Sequence, residues 1–208
     1  LAQKGKASEL AKGKSVLVIG SGDTSVDCVA VATRQGAKSI TRFERSPKRS
    51  IERAASNPWP LKADIFSTDY GLEEAISVYG KDVREYQKLT KSFLSENGKA
   101  VGVVASDLKR EFKDGKPVNV EIKGSEKEYK ADLILLAMGF EGCENEVSAN
   151  FGVKFDEKHN VATTNYQSSN AKIYACGDAR MGQSLVVWAI KDGLECAKAV
   201  AKNLLAPL

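Results

Sequence analysis

Six consecutive residues carry the first chemical signal. Gly20-Ser21-Gly22-Asp23-Thr24-Ser25 follows the apolar run Ser15-Val16-Leu17-Val18-Ile19 and opens a stretch with apolar residues at helical spacing. A strand that turns through glycines straight into a helix builds an anion site. The first amides of a helix have no acceptor within it, and its dipole favours negative charge there. The six residues have the form G-x-G-x-x-G/A, with Ser25 in the last place. Gly20 allows the tight turn, Gly22 lets a pyrophosphate approach the backbone, and a small side chain at Ser25 keeps helix and strand close. The pattern alone is weak, but its surroundings strengthen it. Glu44 ends the next strand-like run, 19 residues beyond Ser25. Dinucleotide folds place the carboxylate that accepts from the ribose about 20 residues on. The expected ligand is therefore NADH. Arg42, Arg45, Lys48 and Arg49 leave NADPH open, because an arginine beside the ribose accommodates a 2′-phosphate; a solvated charge cluster is the plainer reading of those four.

The remaining reactive side chains exclude more than they suggest. Cys28, Cys143, Cys176 and Cys196 are far apart and form no C-x-x-C. That spacing argues against a zinc ribbon, an iron–sulfur site, a thioredoxin-like redox pair and a disulfide scaffold. His159 is the sole histidine, so no multi-histidine metal site is expected. No catalytic acid or base and no metal ligand is assigned. The chain has 208 residues, and 31 Lys+Arg against 27 Asp+Glu leave a net charge of +4. That balance lacks the basic stripe of a nucleic-acid binder. A 42% hydrophobic content argues against disorder. No apolar run reaches about 18 residues, so no membrane span is expected, and without a secretory signal the expected location is cytoplasmic.

The elements that must position these residues read as follows. Residues 1–12 are a polar linker. Strand 15–19, helix 23–35 and strand 39–44 make a β-α-β unit. A loop with Pro47, Pro58 and Pro60 runs to about Thr68, long enough to suggest function. Helical patterns cover 70–79 and 83–89, and 90–96 reads as a strand before an Asn97-Gly98 turn. Residues 100–110 and 117–123 form an antiparallel ribbon around Asp114-Gly115. A buried strand follows at 131–139, ending Ala137-Met138-Gly139. Beyond it come a loop over 141–150, a short strand at 151–155 and a third buried strand at 171–176, closed by Gly177-Asp178. A loop then leads to Gly182. The last element is a helix from Ser184 to about Leu204, whose residues 186, 190, 194, 197, 200 and 204 form one apolar stripe. The fold class is α/β: a Rossmann-like three-layer dinucleotide-binding domain with an antiparallel ribbon, plus part of a second domain.

In their order, the strand ends Ala137-Met138-Gly139 and Cys176-Gly177-Asp178, the latter followed by a long helix, resemble the flavin-dependent pyridine-nucleotide oxidoreductases. The resemblance implies that Gly139 returns the chain to a flavin domain. It also implies that Gly177 and Asp178 bind the ribityl chain, and that Gln183, Ser184, Leu185 and Val186 bring a helix N-terminus to the flavin ring. Asn57-Pro58-Trp59-Pro60, Thr68 to Ala75, Tyr79 to Asp82, and Gly182 to Ile190 narrow it: the chain is similar to the small (β) subunit of glutamate synthase. That similarity implies hydride passing from NAD(P)H to FAD, iron–sulfur clusters, and a large-subunit partner that makes glutamate. A complete small subunit starts with iron–sulfur cysteines and a second glycine-rich β-α-β, and neither occurs in this sequence. The chain is therefore expected to be a piece: 13–139 the NAD(P)H-binding domain, 140–208 the C-terminal part of the FAD-binding domain, with FAD held by the intact protein. Alone it is expected to bind nucleotide without turnover. A related flavoprotein, such as a ferredoxin-linked transhydrogenase subunit or a pyrimidine-reducing enzyme, is the other reading, and the 57–82 stretch argues against it.

Overall fold

β1 (Ser15–Ile19) is covered on both faces, which explains its unbroken apolar run. Val16 and Val18 pack with Val29 and Ala32 of α1 (Asp23–Arg34) and with Leu72 and Ala75 of α2 (Tyr70–Tyr79). Leu17 and Ile19 point the other way, onto Phe43 of β2 (Ser39–Phe43) and onto Val103, Ala105 and Ala131. Alternate strand residues face opposite sides, so one five-residue strand serves two cores.

The computed structural model describes residues 9–61 and 63–205. Its chain divides into two compact units, Leu1–Gly139 and Phe140–Leu208. In the first, β1 and β2 belong to a parallel sheet with β3 (Arg84–Glu85) and β8 (Leu133–Leu136), in the order β3-β2-β1-β8. Ile19 pairs with Phe43 on one side and Leu136 on the other, so three strands finish level with the glycine turn. β4 (Lys88–Glu96), β5 (Lys99–Lys113), β6 (Lys116–Glu121) and β7 (Lys127–Lys130) make an antiparallel sheet. Its hairpins turn at Asn97-Gly98 and Asp114-Gly115, all four residues at positive φ, as two-residue hairpin loops require. Helices, parallel sheet and antiparallel sheet form the three layers expected.

Several elements differ from the sequence reading. Residues 83–89 are not helical. Val83, Tyr86 and Leu89 have a spacing that fits a helix face, but β2 captures this segment: the Arg42 and Glu44 N–H groups donate to the carbonyls of Val83 and Glu85 at 2.8 and 2.9 Å. β7 was not foreseen, because its charged side chains carry no apolar pattern. Of the linker, residues 1–8 lie outside the described residues. Residues 10–13 form a turn, and Ala11 is a core residue whose N–H reaches Gln35 Oε1 at 3.0 Å. The strand read over 131–139 is confined to Leu133–Leu136.

The second unit departs further. The loop expected at 141–150 contains α3 (Asn145–Phe151), closed by Gly152 at φ 65, so no strand starts at Phe151. β9 (Thr163–Thr164) and β10 (Gln167–Ser168) make a small hairpin. Residues 171–176 are not a strand: Tyr174 makes one bridge, to Gln167. A strand needs a neighbour to satisfy its backbone, and among the described residues that bridge is confined to two bonds, Ser168 N–H to the Ile173 carbonyl at 2.9 Å and Ala175 N–H to the Tyr166 carbonyl at 3.0 Å. α4 (Asp178–Met181) occupies the expected loop. α5 (Val186–Leu205) is present, but its buried side is Asp192, Cys196 and Ala199. The apolar stripe is exposed at Val186, Ile190, Leu194 and Leu204. No helix among the described residues is long and apolar enough to cross a membrane.

Candidate dinucleotide-binding site

The turn between β1 and α1 is built around two glycines with different constraints. Gly20 sits at φ +145, and a Cβ there would stand 2.0 Å from the Ala137 carbonyl oxygen. Its N–H donates to the Phe43 carbonyl at 3.2 Å, and the Ala137 N–H donates to that of Ile19 at 2.8 Å. The fold therefore demands glycine at position 20. Gly22, the N-cap of α1, has φ −87 and ψ −179, open to any residue. A Cβ there would meet nothing within 4 Å. Ser, Asp or Asn would cap the helix better, so nothing within the unit explains glycine at this position. Ser25 is fully buried; its N–H and hydroxyl both close on the Gly22 carbonyl, at 2.9 and 2.5 Å. The amides of Gly22, Asp23 and Thr24 find no acceptor among the described residues and border exposed Ser21. These amides, with the open space over Gly22, leave unpaired donors at a helix start, an arrangement able to take an anion.

Glu44 follows β2 beside this turn. Its carboxylate lies 3.3 Å from the Arg42 guanidinium, with side chains 14% and 3% exposed. Arg42 Nε also donates to the Gly20 carbonyl at 3.0 Å. Arg42 thus ties the glycine turn to Glu44 from beneath; it is a buried strut and not part of a solvated cluster. Burial pushes the Glu44 carboxyl above the usual carboxylate range, against the pull of Arg42. A cleft of about 120 Å³ opens here, lined by Ser21, Glu44, Arg49, Phe66, Arg84 and Tyr86 among others. Arg84 forks onto Asp82 and stacks 4.5 Å over the Phe66 ring. Arg49 pairs with Asp64 at 3.0 Å. The Tyr86 hydroxyl is buried without a partner, and burial pushes it up to about 12. Arg45 is exposed. Phe66, Arg84 and Tyr86 were not singled out in the sequence. They join the cleft through the β2–β3 pairing and the returning 45–68 loop, neither of which has a local signature.

Ala137, Met138 and Gly139 follow β8. Ala137 closes against Gly20, Met138 is exposed, and Gly139 is at φ +103.

In the second unit, Gly177 adopts φ 63, ψ −142, and its N–H donates to Asp192 Oδ2 at 2.8 Å. Arg180 forks onto the same carboxylate and lies 4.6 Å over the Tyr166 ring. Arg180 holds the Asp192 carboxyl below the usual range. Asp178, Gln183, Ser184, Leu185 and Val186 are exposed, and the Trp188 and Ala189 amides are the first of α5 to close, onto the Leu185 carbonyl. Asp192 escaped the sequence reading, although Asp192, Cys196 and Ala199 share helical spacing, because the apolar stripe is the louder signal. The described residues contain no group of three or more His, Cys, Asp or Glu able to hold a metal.

The family model described as pyridine nucleotide-disulphide oxidoreductase matches residues 72–193. "Glutamate synthase [NADH]" of Schizosaccharomyces pombe is 44% identical over 195 residues, which are 91% of this chain and 9% of that protein. "Glutamate synthase [NADPH] small chain" of Bacillus subtilis is 41% identical over 198 residues, which are 94% of this chain and 40% of the relative. The chain thus spans well under half the length of these relatives. Among solved structures, Mycobacterium tuberculosis FprA in complex with NADPH superposes with TM-score 0.66 at 13% identity, covering 94% of this chain and 53% of that one. T. acidophilum thioredoxin reductase gives 0.61 at 20%, covering 95% and 55%. At such identities the likeness concerns fold alone. A family match over residues 72–193, more than half of the sequence, places this chain in the pyridine nucleotide-disulphide oxidoreductase family.

Proposed function

We propose that residues 13–139 form the NAD(P)H-binding domain, and residues 140–208 the C-terminal part of the FAD-binding domain, of a glutamate synthase electron-input subunit. Gly22 carries the reading: it is a glycine the fold does not need, in open space, beside amides without acceptors. The Gly22, Asp23 and Thr24 amides would hold the pyrophosphate. Glu44, steadied by Arg42, would accept from the ribose hydroxyls, which favours NADH over NADPH. Gly20, Ser25 and the 137–139 segment shape the turn. Arg45 borders the ribose side.

For the flavin, the exposed Asp178 carboxylate and the free amides at the start of α5 suit a ribityl hydroxyl and an electron-rich ring edge. Asp192 and Arg180 hold the Gly177 turn in place for that contact. Bound NAD(P)H supplies a hydride and FAD accepts it, chemistry that belongs to the cofactors. The chain's own groups bind and orient. The expected partner is the glutamate synthase large subunit or domain, the expected location the cytoplasm. Because α5 leaves its apolar stripe uncovered, the 208-residue chain alone is expected to bind NADH without turnover.

Fluorescence titration with NADH tests this. Saturable binding, weakened at least tenfold in Gly22→Ala with an unchanged circular dichroism spectrum, is the expected result. Equal affinity in the two proteins removes the pyrophosphate from the glycine turn.

A further inference from the structure

We propose that Cys176 and Cys196 form a redox-sensitive thiol pair that hydrogen peroxide converts to a disulfide. The two residues are 20 positions apart in sequence, but the second unit brings them together. Gly177 N–H donates to Asp192 Oδ2 at 2.8 Å, and Arg180 forks onto the same carboxylate. These bonds lay the 176–180 turn across α5. Cys196 is one helical turn beyond Asp192 on the same buried side. Cys176 precedes Gly177, so Cys176 and Cys196 flank the two ends of the same Gly177–Asp192 hydrogen bond. The pair is asymmetric in access: Cys176 is exposed and Cys196 is buried. An exposed thiol with a second, buried thiol one turn along the packed helix is the arrangement of an attacking and a resolving cysteine.

The chemistry closes without another component. The Cys176 thiolate attacks one peroxide oxygen, the O–O bond breaks, and water leaves after protonation, giving a sulfenic acid. Cys196 sulfur then attacks Cys176 sulfur; the S–S bond forms, the S–O bond breaks, and a second water departs with the Cys196 proton. Two thiols lose two electrons and the peroxide gains them. A dithiol reverses the step by exchange. Cys28 and Cys143 have no such neighbour: Cys28 is half-buried on α1, and Cys143 Sγ hydrogen-bonds the Ala179 carbonyl. The pairing is independent of nucleotide binding.

Peptide mapping of the folded 208-residue chain, with thiols blocked after brief hydrogen peroxide treatment, tests this directly. Trypsin releases Cys176 in peptide 173–180 and Cys196 in peptide 192–198. The expected product joins these two peptides, with loss of two of the four titratable thiols and recovery of both on dithiol treatment. In Cys196→Ser the cross-link is absent, and Cys176 advances to sulfenic and sulfinic acid. Separate peptides in wild type, with Cys176 over-oxidised or both thiols intact, overturn the proposal. So does a cross-link to Cys28 or Cys143 instead.

Discussion

Replacing Glu44 with alanine removes the cleft carboxylate assigned above to the ribose hydroxyls. A hydrogen bond to a charged group is worth about 1.5–3 kcal/mol. Glu44 shares one oxygen with Arg42 at 3.3 Å, so roughly one such bond to the ribose is lost net. NADH affinity should then fall about 10- to 150-fold. NADPH loses no such bond and is freed from the carboxylate's repulsion, while Arg42, Arg49 and Arg84 remain nearby. Its affinity should hold or rise, so the preference for NADH narrows or reverses. Alanine also strips Arg42 of a buried partner, so Glu44→Gln serves as a companion that keeps an acceptor while removing the charge. Calorimetric titration of both nucleotides against both variants is the assay. Unchanged discrimination in folded protein would refute the role assigned to Glu44.

Other outcomes follow from the same geometry. Arg42→Leu should destabilise the first unit by about 3 kcal/mol, since it leaves Glu44 half-buried and unpaired; differential scanning calorimetry should show a Tm lower by about 6–12 °C. Gly20→Ala should fail to fold or lose the turn, because its Cβ would stand 2.0 Å from the Ala137 oxygen; a native Tm with intact NADH binding contradicts this. Burial raises the Glu44 carboxyl, so NADH affinity should start to fall, as pH drops, above the ordinary glutamate value of about 4.3. The sign for folding is opposite. A raised native pKa means that the protonated form stabilises the fold below the unfolded value and that this contribution is lost as pH rises through the native one. Both effects should vanish in Glu44→Gln. Asp192→Ala removes the acceptor of the Gly177 N–H and the anchor of Arg180; hydrogen exchange at residues 177–182 should accelerate while α1 is unaffected.

What was legible in the sequence depended on whether the signal was local. The β1–α1 turn was readable because its constraints lie in six neighbouring residues. The hairpins at Asn97-Gly98 and Asp114-Gly115 were readable because positive φ selects those residue types. β3 was not: Arg84–Glu85 is extended because β2 offers it hydrogen bonds, a long-range fact that overrides the helical spacing of Val83, Tyr86 and Leu89. The cleft wall of Phe66, Arg84 and Tyr86 depends on that same pairing. In the second unit, the run 171–176 is apolar enough for a strand, but the described residues provide no partner strand beyond one bridge. The α5 stripe was recognised as apolar; that Asp192 and Cys196, not the stripe, take the buried side depends on the Gly177 turn packed against them. Sequence separation likewise concealed that Cys176 and Cys196 flank the Gly177–Asp192 hydrogen bond.

Backbone amide NMR of the ¹⁵N-labelled chain during NADH titration tests phosphate capture at the glycine turn most directly. The resonances of Ser21, Gly22, Asp23 and Thr24 should move together and saturate, with Glu44 following and the hairpin at Asp114-Gly115 silent. Saturable shifts confined to other segments, with 21–24 unmoved, would contradict nucleotide binding at this turn.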